Sequence, residues 1–305
     1  MIQVLRILFS RLSDAIYVRK RNLDSIRGVS SKLTNVSDSQ NTPYEESLQA
    51  IVKSERLFGK FRRIKSYKFI VETVTYDQGK QYKKRIEELA SLNSEVIEAA
   101  KENDKIGSPW TFKYPHFGRI SPTTLRYLSV ASEIQELFPH LDQPAIAEIG
   151  VGYGGQASIL YDSLAFKKYS MFDLPDALKL SYKFLDKLNK SKNIELDNLD
   201  STRTKKWDLV LSNYAFSELP RSLQMEYIEK VLSVSECGYL IMNSGRENHA
   251  GRNEGKMTLE DLVRLIPEIE ILPEIPNTGQ DNYLIYWKNR NQDSPALQTV
   301  GSSGA

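Results

Sequence analysis

From Ala145 onward, short apolar or β-prone runs alternate with amphipathic stretches. The runs cover residues 145–151, 169–173, 193–196, 208–212 and 239–243. Between them, residues 156–166, 177–188 and 223–233 repeat apolar side chains at helical spacing. Such alternation predicts a mainly parallel sheet with helices on both faces, an α/β fold. Two further runs, 270–272 and 283–287, are separated by Pro273, Pro276, Asn277, Thr278 and Gly279 with no helical pattern. A connection without a crossover helix suits an antiparallel pair at the sheet edge.

Upstream the pattern is helical. Leu5, Leu8, Phe9, Leu12 and Ile16 recur at helical spacing among Arg6, Arg11, Arg19, Lys20 and Arg21. A basic amphipathic helix can lie on an anionic membrane surface; packing on the body of the protein, or on a second subunit, is the plainer reading. Residues 29–43 are polar and read as a linker. Phe58, Phe61, Tyr67 and Phe69 are mixed with Lys60, Arg62, Arg63, Lys65 and Lys68, which predicts a solvated helix with one buried face. Residues 81–103 continue the helical pattern. At Gly107 the chain becomes aromatic and loop-like, through Trp110, Tyr114, Pro115 and His116. Ser121 then caps a helix with Pro122 in its first position. That helix carries Leu125, Leu128, Ile134 and Leu137 inward and ends near Pro139. The resulting division is a basic helical region over 1–106, an α/β domain over 107–290, and a polar tail over 291–305 left outside the fold.

Composition narrows the picture modestly. A chain of 305 residues accommodates one large α/β domain with an appended segment. Apolar and charged contents of 40% and 26% are ordinary for a globular protein. A net charge of +2 argues against a dedicated nucleic-acid binder. Cys237 is the single cysteine, so no internal disulfide forms, and its place before an apolar run reads as a buried small residue. No stretch approaches the length of a membrane span. Arg6 interrupts the apolar N-terminus and no cleavage site follows, so no secretory signal is expected. These features imply a cytoplasmic protein, with the basic N-terminus free to touch the inner face of a membrane or a partner.

The chemistry concentrates in Glu148-Ile-Gly150-Val-Gly152-Tyr153-Gly154-Gly155, which follows an apolar strand and opens a helix. Glycines let the backbone turn sharply and approach a ligand, and the helix N-terminus offers free N–H groups. Gly150, Gly152 and Gly155 fit the dinucleotide spacing G-x-G-x-x-G. Glu148, Gly150, Gly152 and Gly154 equally fit E-x-G-x-G-x-G, the first motif of S-adenosylmethionine enzymes. Asp173, at the end of the next strand, suits a ribose in either cofactor. The closing antiparallel pair, and the lack of a second repeated half, favour the seven-stranded methyltransferase sheet over a dinucleotide fold.

Three segments carry a family resemblance: residues 147–155, residues 172–178 (Phe-Asp-Leu-Pro-Asp-Ala-Leu) and residues 207–219 (Trp-Asp-Leu-Val-Leu-Ser-Asn-Tyr-Ala-Phe-Ser-Glu-Leu). With residues 120–128 before them, they resemble the sugar O-methyltransferases of bacterial surface-polysaccharide pathways. The resemblance covers roughly residues 107–245. It implies a Rossmann-like class I methyltransferase sheet, mostly parallel with its last strand antiparallel, that uses S-adenosylmethionine on a sugar or glycan hydroxyl.

By this resemblance Gly150, Gly152, Tyr153 and Gly154 line the methionine end of the cofactor, with Glu148 fixing the turn or reaching the amino group through water. Asp173 takes the ribose, Leu174 flanks the adenine, and Asn213 and Tyr214 end the fourth strand beside it. Asp197 or Asp200 meets the adenine amine or is a plain loop charge. A sugar hydroxyl is a weak nucleophile near neutral pH and needs a general base; Glu218 and His249 are the candidates. Arg126 holds a carboxylate, of the cofactor or of an acidic sugar, unless it makes a surface ion pair. His116 is a substrate-contact candidate, and His140, after Pro139, reads as structural. The acids show no diagnostic metal spacing, so no metal is expected. An NAD-dependent oxidoreductase and a non-catalytic scaffold tethering partners through the N-terminal region are the competing functions. A homo-oligomer is compatible with either.

Overall fold

The computed structural model describes residues 43–201, 205–246, 255–266 and 268–288. The expected basic helix within residues 1–28, the linker before Pro43, His249 and the tail from 291 lie outside the described residues.

The chain begins with helices α1 (Pro43–Lys53), α2 (Glu55–Phe58), α3 (Lys65–Val71), α4 (Tyr76–Leu89) and α5 (Ser94–Ala100). A small hairpin, β1 (Phe112–Tyr114) and β2 (Gly118–Ile120), precedes α6 (Pro122–Leu137). The main body follows as β3 (Ala145–Ile149), α7 (Gly155–Leu164), β4 (Lys168–Phe172), α8 (Pro175–Lys187), β5 (Ile194–Leu196) and β6 (Trp207–Asn213). It continues through α9 (Ala215–Glu218), α10 (Arg221–Tyr227), β7 (Ser235–Met242), α11 (Leu259–Leu265), β8 (Glu270–Pro273) and β9 (Tyr283–Trp287).

Seven strands form one sheet in the order β5-β4-β3-β6-β7-β9-β8. β5, β4, β3, β6 and β7 are parallel, and β9 runs antiparallel to both β7 and β8. The central strands are apolar on both faces because helices cover both. Along β3, Ile146 enters one core with Leu125, Leu128 and Ile159, while Ala145, Ala147 and Ile149 enter another with Trp207, Tyr227 and Ile228. The first core also takes in Tyr44, Leu48, Phe61, Tyr67 and Ile86, so helices α1–α5 share it with the sheet.

Several details differ from the sequence expectation for local reasons. The aromatic segment read as a loop pairs Phe112 with Ile120 and Tyr114 with Gly118. With three residues per strand, the alternation is too short to stand out from the sequence. Strand β7 starts at Ser235, although exposed Glu236 interrupts the apolar run. The segment read as helical over 223–233 begins at Arg221 and closes with a π-helical turn over Ile228–Leu232. Helix α11, capped by Thr258 and Asp261, was not legible among its charged neighbours. Arg62, expected on a solvated face, is fully buried.

Ser121 does cap α6, its Oγ accepting from the Thr124 N–H at 3.1 Å. Among the described residues, no helix is long and apolar enough to cross a membrane.

Candidate functional site

The chain runs outward from β3 in both directions, through β4 and β5 on one side and β6 and β7 on the other. At such a reversal the loops after two neighbouring strands diverge, leaving a crevice at their carboxyl ends. The glycine turn follows β3, and Asn213 ends β6, so both lie at this edge.

The turn is built on backbone that side chains rarely tolerate. Gly150, Gly152 and Gly154 have φ of +81°, +58° and +84°. A Cβ on Gly150 would stand 2.0 Å from Ala215 Cβ, so the turn and the start of α9 meet only because Gly150 has no side chain. Gly150 N–H donates to the Phe172 carbonyl at 2.8 Å, and Gly152 N–H to Asp173 Oδ2 at 3.0 Å. The other oxygen of Asp173 accepts from the Leu174 N–H at 2.7 Å. Asp173 thus braces the turn while largely buried. Burial pushes its carboxyl up to about 6, against the opposing pull of N–H groups from Leu174, Gly152 and Val151.

The structure divides the remaining expected cofactor residues into two groups. Glu148 faces the core, where it accepts from the Tyr169 hydroxyl at 2.7 Å. Burial raises its carboxyl to about 8, only partly offset by that hydrogen bond. Tyr153 is also turned inward: its ring meets Phe184, Phe61 and Tyr127 edge-on, with the Arg62 guanidinium 4.8 Å from its centroid. Both residues support the turn from beneath, because alternation along β3 and the bend at Gly152 carry them into the apolar layer. Leu174 packs at the edge of that core.

Asn213 and Tyr214 stay at the carboxyl edge. Asn213 Nδ2 donates to Gln156 Oε1 at 3.4 Å, and Gln156 Nε2 to the Tyr127 carbonyl at 3.2 Å. Asn213 Oδ1 is sealed from solvent with no hydrogen-bond partner among the described residues. Tyr214 adopts φ +71°, a strained conformation for a bulky residue. Its hydroxyl donates to Glu274, which also accepts from Thr278 N–H at 2.8 Å and Asn282 Nδ2 at 3.0 Å.

Beside Tyr214 lies Arg126, only 9% exposed. Its guanidinium carbon is 5.3 Å from the Tyr127 ring centroid and 5.8 Å from that of Tyr214, and Tyr82 of α4 stands nearby. Among the described residues no carboxylate pairs with Arg126, and its Nε has no hydrogen-bond partner. The surface-ion-pair reading therefore fails: this is a buried cation.

Seven strands with this reversal, and an antiparallel β9 inserted between β7 and β8, decide the architecture. The fold is the Rossmann-like fold of class I methyltransferases. A dinucleotide fold would carry a second mononucleotide-binding half where β8 and β9 stand.

Comparisons with known proteins find similarity among solved structures only. A scan of family models gives no match, and no curated protein matches the chain. Among solved structures, it is similar to a SAM dependent methyltransferase from Aquifex aeolicus, with 14% identity and a TM-score of 0.40, covering 51% of this chain and 87% of that one. It is similar to an rRNA methylase from Streptococcus thermophilus, with 21% identity and a TM-score of 0.41, covering 52% and 96%. An O-methyltransferase family 2 protein from Planctomyces limnophilus, in complex with apigenin, gives 14% identity and a TM-score of 0.41, covering 54% of this chain and 58% of that one. These likenesses are of fold alone.

The other candidates scatter. Glu218 ends α9 and accepts from Asn243 Nδ2 at 2.8 Å. Asp197 is buried and pairs with Lys205 at 2.5 Å, whereas Asp200 lies in a short exposed turn. His116 is exposed at the turn of the β1–β2 hairpin with φ +65°. Sequence reasoning missed Tyr82, Gln156, Glu274, Thr278 and Asn282. The last three come from the β8–β9 connection, whose Pro, Asn and Gly residues signal only a turn.

Proposed function

We propose that the chain binds S-adenosylmethionine and transfers its methyl group to a hydroxyl oxygen of a sugar or glycan. The observation that carries the cofactor is the complementary pair of orphaned buried atoms at the crevice. Arg126 Nε is a charged donor and Asn213 Oδ1 an acceptor. An α-amino acid group answers both, its carboxylate accepting from Arg126 and its ammonium donating to Asn213. A buried cation lacking a counter-charge costs several kcal/mol, which a bound carboxylate offsets.

In this reading Asp173 receives the ribose hydroxyls through lone pairs that Gly152 and Leu174 leave free. The glycine turn keeps side chains away from the cofactor's backbone, and Tyr214 walls the acceptor side. When bound, the cofactor supplies a methyl group activated by its sulfonium. Glu218 is the described carboxylate closest in sequence to Tyr214 and is the proposed base, with His249 beyond the described residues as the second candidate. The family resemblance of residues 107–245 supports the sugar acceptor.

The test is calorimetric titration of the purified chain. Saturable binding of S-adenosylmethionine, weakened at least tenfold by Asp173→Ala, is expected. Binding of NAD instead, or of neither, overturns the proposal. Methyl transfer is then read with labelled cofactor across a panel of sugars and nucleotide sugars.

A further inference from the structure

The opposite edge of the sheet holds a second cluster of chemically capable side chains. His140 lies in the loop between α6 and β3, and Glu236 and Cys237 lie near the start of β7. His140 Nε2 and Cys237 Sγ are separated by 97 positions in sequence yet stand 3.6 Å apart. With a carboxylate oxygen of Glu236, the three ligand atoms all fall within 4.8 Å of one another. His140 is exposed and Cys237 buried, so the cluster has one face open to solvent and one closed.

We propose that His140, Glu236 and Cys237 form a binding site for zinc or a similar divalent ion. The decisive quantity is the sulfur–nitrogen separation. Zinc–sulfur and zinc–nitrogen bonds of about 2.3 Å and about 2.0–2.1 Å, meeting at a tetrahedral angle, put those ligand atoms about 3.5–3.6 Å apart. The observed pair already has that spacing. A thiolate, an imidazole and a carboxylate make a mixed S/N/O ligand set that suits zinc and excludes magnesium or calcium, which take oxygen ligands. The exposed side leaves the fourth position to water. In register, Cys237 pairs with Leu209 early in β6, whereas Asn213 ends that strand. The site is therefore remote from the crevice, and its role is to tie the loop before β3 to β7. A plain S–H···N hydrogen bond is the competing account of the same contact.

Chelator-treated full-length protein is titrated with zinc against a chromophoric chelator, and separately with cobalt(II). One equivalent of competitive zinc uptake is expected, together with a near-ultraviolet thiolate-to-cobalt charge-transfer band. Cys237→Ser removes the band. Exposed His140→Ala, which leaves the core intact, weakens zinc binding by more than the roughly 10–100-fold that outer-shell changes cause. Zinc also raises the melting temperature of the wild type but not of His140→Ala. No competitive uptake by the wild type, or uptake unchanged in His140→Ala, overturns the proposal. Methyl-donor binding, read in the same samples, is expected to be the same in His140→Ala and wild type.

Discussion

Arg62 and Arg126 are both buried arginines, yet their surroundings differ in kind. Arg62 is saturated by the protein: Nε reaches Glu72 at 2.5 Å, Nη1 reaches Asp104 Oδ1 and the Asn103 carbonyl at 3.0 Å, and Nη2 reaches Ser121 Oγ at 3.0 Å. Those carboxylates are themselves bonded to Thr123, Thr124 and the Ser121 N–H. The network fastens α1–α5 to the start of α6, and its charge is settled within the fold. Arg126, in the next turn of α6, sits among tyrosine rings with no carboxylate among the described residues. A buried cation whose neighbours are neutral tyrosines, Tyr127 among them as a hydrogen-bond partner, leaves its charge to be met from outside the chain. The first arginine serves the fold, and the second is the one we propose for a ligand.

Breaking the saturated side should produce the largest effect. Arg62→Ala leaves Glu72 and Asp104 buried without compensation and is expected to cost about 3–5 kcal/mol in denaturant unfolding. A loss under about 1 kcal/mol would deny the contrast.

The ligand side responds in binding rather than stability. Asp173→Ala is expected to weaken S-adenosylmethionine at least tenfold, about 1.4 kcal/mol. Because the Asp173 carboxyl is raised to about 6, the ionised form that accepts ribose hydroxyls is lost as pH falls through 6. Affinity of the wild type should drop over that range, and Asp173→Asn should flatten the dependence. An affinity independent of pH between 5 and 7 would contradict the ribose role.

The smallest expected effect on cofactor binding concerns Glu148. Its carboxyl, raised by burial to about 8, stays protonated in the folded chain where the unfolded chain has already ionised. Its contribution to stability is full below the ordinary carboxylate range and is lost as pH rises through about 8. Glu148→Gln should remove that decline from a series of unfolding curves between pH 5 and 8, with cofactor affinity little changed. A large loss of affinity would return Glu148 to the cofactor.

What the sequence revealed follows from the range of the interactions concerned. The alternation after Ala145 and the glycine spacing are local, so the parallel sheet, the turn and Asp173 could be read directly. The closing pair of strands was visible because prolines and a glycine replace a crossover helix. Side-chain direction was less legible. Glu148 and Tyr153 share a motif with Gly150 and Gly152, yet pleat and turn send them into the core. The surroundings of Arg126 depend on α4, β6 and the β8–β9 connection meeting in space, and the His140–Cys237 contact joins residues 97 positions apart. No short window of sequence contains either.

The most direct test replaces Arg126, whose Nε has no partner among the described residues, with an apolar residue of similar reach. Wild type and Arg126→Met are titrated with S-adenosylmethionine by calorimetry, and both are unfolded thermally without ligand. Removing a buried charge that lacks a counter-ion should leave the melting temperature unchanged or raise it, while binding weakens at least about tenfold. An Arg126→Met chain that binds as tightly as wild type, or one that loses stability as Arg62→Ala does, would contradict the account.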